Sequence, residues 1–113
     1  MRLPVFLTGL LFSASVTALS SAAQEFMSIS KELEPVQCEK RQLRRRIALA
    51  EAERRDSDAK AARARFATLD RDPKNARLEK RLAELEPLLK RSPDPEDLPA
   101  ISLQQREAFY RCE

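Results

Sequence analysis

The sequence predicts an all-α fold: an elongated antiparallel helical hairpin, a short C-terminal helix and one disulfide closing the set. Three observations carry this. The only glycine, Gly9, lies in an apolar N-terminal stretch, so positive-φ hairpin turns are disfavoured throughout the rest of the chain. Alanine, glutamate, leucine, arginine and lysine, the best helix formers, dominate the composition. Cys38 and Cys112 are the only two cysteines, and they bracket nearly all of the remaining sequence.

The N-terminus reads as an export signal. Arg2 is a positive n-region, Val5 to Phe12 an apolar h-region, and Ser21-Ala22-Ala23 supplies small residues for cleavage before Gln24. Val16-Thr17-Ala18 is a second cleavage site. The stretch from Val5 to Leu19 is 15 residues, short of the about 20 that a membrane span requires. No cysteine ends the h-region, so nothing there suits lipid attachment. The Ala-Ala-Gln ending has a bacterial character, which makes the periplasm the expected location and secretion the alternative. Residues 1–23 are thus the expected leader, and 24–113 one small helical domain.

The first helix is expected from about 35 to 69, with Pro35 in its first turn and no later proline or glycine before Pro73. Its stripe runs Val36, Leu43, Ile47, Ala50, Ala61, Ala64, interrupted by Lys40, Arg54 and Ser57. Asp72 followed by Pro73 is a strong N-cap and first-position pair, so a second helix is expected from about 73 to 91. It carries Leu78, Leu82, Leu85 and Leu89 at 4-3-4 spacing and is expected to kink near Pro87. These leucines are expected to pack on Ile47, Ala50, Ala61, Ala64 and Phe66.

Ser92 to Pro99 reads as a proline-rich acidic loop. Ser102 and Gln105 then form a capping box opening a helix from about 102 to 112. Ile101-Ser102-Leu103-Gln104-Gln105-Arg106 is similar to the LTxxQ motif of the Spy and CpxP group of periplasmic chaperones, with Ile for Leu, Ser for Thr and a single copy. The resemblance implies a small exported helical protein that binds unfolded clients on a concave surface.

In an oxidising compartment Cys38 and Cys112 are expected to pair. Helix lengths allow the bond within one chain. At about 100° per residue, however, Cys38 faces away from Leu43 and Ile47. The last helix must therefore use a second face of the first, near Gln42, Arg45 and Leu49. An intermolecular bond is the other reading.

The chain contains no histidine, which removes the usual general base, Ser-His-Asp and Cys-His pairs and the common zinc sites. No enzyme, cofactor or metal site is expected. Lys40, Arg41, Arg44, Arg45 and Arg46 form the sharpest charge feature, a candidate patch for an acidic protein surface or lipid headgroups. Nucleic acid is not expected for an exported chain. Residues 38–65 hold ten basic and five acidic groups, and residues 92–113 hold two and five. Internal complementarity, with the acidic tail lying over the basic stretch, is the competing account. The function expected is an exported, non-enzymatic binding protein of chaperone, adaptor or inhibitor type with a protein partner. The alternative is a structural coiled-coil subunit that homodimerises through Leu78, Leu82, Leu85 and Leu89.

Overall fold

The computed structural model describes residues 19–91 and 94–112. The predicted n-region, h-region and second cleavage site lie outside the described residues. Four helices follow in order: α1 Ser21–Ala52, α2 Asp56–Arg71, α3 Pro73–Lys90 and α4 Asp97–Arg111. Among the described residues there is no strand, and no helix is long and apolar enough to cross a membrane.

The helix expected over 35–69 differs at both its start and its middle. It begins at Ser21, capped by Ser20, whose side chain accepts from the Ala23 N–H. Pro35 is an interior residue. An interior proline costs roughly 3 kcal/mol, and tertiary burial offsets it. Ala23, Ile29 and Leu33 are buried, with Ala22 and Phe26 packed beside them, against α3 and α4. Pro35 and Lys31, whose carbonyl loses its intrahelical donor, are both exposed residues.

The long helix then ends where Glu53 to Asp58 offers no apolar side chain. Arg54 adopts φ 56°, in the left-handed region. The Arg55 N–H donates to the Ala50 carbonyl and the Arg54 N–H to the Glu51 carbonyl. This is the Schellman pattern, with arginine where glycine is usual. Absence of glycine argued for one unbroken helix, but the break forms without it. Folding α2 back on α1 buries Leu43, Ala50, Ala59, Ala62 and Leu69, and those alanines permit close approach. That burial outweighs the roughly 1–2 kcal/mol a non-glycine residue costs there.

The α2–α3 junction is as expected. Asp72 accepts from the backbone of Lys74 and Asn75, and Pro73 opens α3. Helix α3 runs unbroken through Pro87, which is exposed, with Leu85 and Leu89 buried on either side. Its leucines do not meet Ile47, Ala50, Ala61, Ala64 and Phe66. Because α2 already occupies the C-terminal half of α1, α3 packs on the N-terminal half, against Phe26, Ile29 and Leu33. The stripe considered as a dimer seam is therefore turned inward on α1.

Helix α4 begins at Asp97, five residues before the expected start. Pro99 is tolerated as its third residue, where the missing N–H has no intrahelical acceptor anyway. Ser102 consequently sits exposed inside the helix and caps nothing.

Helix α4 runs parallel to α1 over its N-terminal half. Three contacts share one offset of 77 residues. Ser20 meets Asp97, Met27 meets Gln104, and Glu34 meets Arg111, each pair seven residues beyond the last. The constant heptad step marks two parallel helices in register. The alignment ends at the disulfide, where Cys38 and Cys112 are bonded with Cα atoms 5.4 Å apart. The pairing is within one chain and uses the second face of α1, as the off-stripe position of Cys38 required. Gln42 reaches the Cys112 carbonyl at 3.3 Å. Arg45 and Leu49 lie beyond the end of α4 and are exposed.

Candidate basic surface at the open end of helix α1

The basic stretch does not form one patch. Successive helical residues point about 100° apart, so consecutive cations fan around α1. Lys40 turns inward and is 6% exposed. Its Nζ binds Asp70 of α2 and Glu79 of α3, the latter at 2.8 Å, and lies 5.3 Å from the Phe66 ring centre. Burial disfavours the charged amine, but the hydrogen bonds it donates to Asp70 and Glu79 outweigh this and raise its pKa above the ordinary lysine value. Lys40 thus locks the α2–α3 junction onto α1 and is not part of a surface.

Arg41 stacks 4.7 Å from the Phe109 ring of α4, and Arg44, one turn further on, lies 5.2 Å from Phe66 of α2. Arg45 and Arg46 are exposed and, among the described residues, take no salt bridge. Neighbouring arginines differ: Arg65 forks onto Glu39 at 2.7 and 2.8 Å, Arg63 pairs with Glu51, and Arg55 pairs with Glu53 and Asp58.

The described acidic start of the tail does not lie over these cations. Because α4 is parallel to α1, its acidic start, Asp94 to Asp97, is placed at the opposite end, beside Ser20. That start is thereby parted from the basic stretch: Arg45 and Arg46 are exposed, while Arg111, within the same segment, pairs with Glu34.

Past Cys112 the face of α1 that α4 covered is left open. Ala48, Leu49 and Ala52 share it with Arg45, and all four are exposed, Leu49 at 54%. Leu49 also enters a shallow groove between α1 and α2, about 360 Å³, floored by Leu43, Ala50, Ala61 and Ala62, with Arg46 at its edge. A larger cleft of about 620 Å³ lies between α1, α3 and α4, where Phe26, Leu82 and Phe109 meet Lys31, Glu34 and Gln104. There Gln104 donates to the Met27 carbonyl, and its buried Oε1 accepts no hydrogen bond among the described residues.

Sequence reasoning named Gln42, Arg45 and Leu49 but missed the groove, because the groove depends on the break at Arg54. Among the described residues, no group of three or more acidic or sulfur side chains is placed to hold a metal ion. No family model matches the chain, and neither a curated protein nor a solved structure matches it.

Proposed function

We propose that the chain is an exported, non-catalytic binding protein whose distal α1–α2 hairpin docks an acidic amphipathic segment of a partner protein. One observation carries the reading: α4 ends at Arg111, capped by Cys112, and among the described residues the same face of α1 beyond it is uncovered, with Arg45 and Arg46 exposed at its edge and in no salt bridge. A partner helix would continue the path of α4 along α1, set apolar side chains on Ala48, Leu49 and Ala52, and bring carboxylates to the two guanidinium groups. Arginine suits this role because its fork pairs bidentately with carboxylates. A groove between two helices suits a helix better than a planar lipid surface. The coiled-coil alternative loses support, since its leucine seam is occupied within the chain.

Affinity capture from envelope extracts, with and without reductant, tests the reading. Arg45→Glu with Arg46→Glu should abolish capture of the same partner while leaving the helical signal intact, since among the described residues both side chains are exposed and neither takes a salt bridge. Undiminished capture by the double variant would sink the proposal. So would binding to anionic vesicles with no protein captured.

A further inference from the structure

We propose that the leader is cut after Ala18, so that the mature protein begins at Leu19 and not at Gln24. The inference rests on the export reading above. It starts from the stretch Leu19 to Ala23, which the structure builds into the fold.

Ser20 has two roles. Its Oγ accepts from the Ala23 N–H at 3.2 Å, capping α1. Its N–H donates to Asp97 Oδ1 at 3.0 Å and its hydroxyl to Oδ2 at 2.5 Å. Asp97 is wholly buried, as is Ala23, which packs with Leu89 and Ile101. Leu19 and Ala22 lie against that same cluster.

Cutting before Gln24 would strip all of this away. The buried Asp97 carboxylate would lose both Ser20 donors, a costly change for a charge out of water. The apolar contacts of Leu19, Ala22 and Ala23 would vanish. The new ammonium would stand at the first turn of α1, where the helix dipole repels positive charge.

Cutting after Ala18 avoids each of these losses. Val16-Thr17-Ala18 places an alanine at the subsite that demands a small residue. A signal peptidase would add water across the Ala18–Leu19 amide. Ala18 then keeps the new carboxylate on the leader, and Leu19 carries the new amine, protonated. That cation also lies near the start of α1, but it arises one residue from the Ser20 amide held by the Asp97 carboxylate, which offsets the dipole.

The test expresses the full chain in a bacterial host, recovers it from the periplasmic fraction and reads intact mass and N-terminal sequence. A start at Leu19 is expected. A start at Gln24 in that fraction overturns this inference and leaves export standing. An uncut chain held in the cytoplasm overturns both. A second measurement uses Ser20→Ala in the same full chain. If Ser20 is retained, the processed variant melts several degrees below the processed wild type. If cleavage removes residue 20, the two mature proteins are identical and melt together, and the inference fails.

Discussion

Two single residues hold positions that their type disfavours. Arg54 takes a left-handed conformation that glycine adopts freely, to let α2 return on α1. Arg54→Gly removes that steric cost but enlarges the freedom of the unfolded chain, so the net gain should be about 0.5–1 kcal/mol. Denaturant titration checks it, and a destabilised variant would show that Arg54 contributes something beyond its backbone. Lys40 is the other case, a buried amine held charged by Asp70 and Glu79. Its folded pKa is raised. The stabilisation is therefore complete below the unfolded value, about 10.4, and is lost as pH rises through the folded one. Unfolding midpoints should hold steady up to about pH 10 and fall above it, and Lys40→Met should flatten that fall. The interruption that Lys40 makes in the α1 stripe was visible in the sequence. Its two partners were not, since they come from separate helices that meet only after the chain turns at Asp72.

Among the elements, what the sequence revealed follows the range of the forces involved. The α3 start was legible because Asp72 and Pro73 settle it locally, by a side-chain cap and a fixed φ. The disulfide was legible from cysteine count and compartment. Pro35, Arg54 and Ser102 were misleading for one shared reason: local preference pointed to a boundary, or to none, and packing between distant segments overrode it. Proline at 35 loses to the burial of Ile29 and Leu33, and the capping box at Ser102 loses to an α4 that starts on Ser20. The α1–α4 pair tests this account. Its alignment depends on three heptad-spaced contacts and one covalent bond across a separation of 74 residues. By loop entropy that bond contributes up to about 4–5 kcal/mol. Cys38→Ser with Cys112→Ser should lose much of this, and hydrogen exchange should show α4 amides deprotected ahead of those in α1–α2. Uniform deprotection would mean that the four helices unfold as one unit.

Over the whole molecule, charge is arranged so that an exposed forked carboxylate–guanidinium pair joins α1 to each neighbour, and a second pair, Glu51 with Arg63, adds to the α2 contact. Glu25 binds Arg81 of α3, Glu34 binds Arg111 of α4, and Glu39 binds Arg65 of α2. In each case the hydrogen bond from arginine outweighs desolvation and holds the glutamate pKa below its ordinary value. A depressed folded pKa gives stability that is present above the unfolded value, about 4.3, and lost as pH falls through the folded one. Exposed pairs are individually weak and screened by salt, yet these three act on separate interfaces, so their losses should add. Chemical unfolding midpoints measured from pH 7 down to pH 2 should therefore decline below about pH 4.3. The triple variant Glu25→Gln, Glu34→Gln, Glu39→Gln should start lower and decline less over that window. Each single variant should remove a part of the slope, with Glu34→Gln acting chiefly on α4. If the triple variant keeps the wild-type acid slope, these pairs do not fasten the helices. The apolar contacts, the disulfide and the buried Lys40 pairs would then have to hold α1 to its neighbours without them.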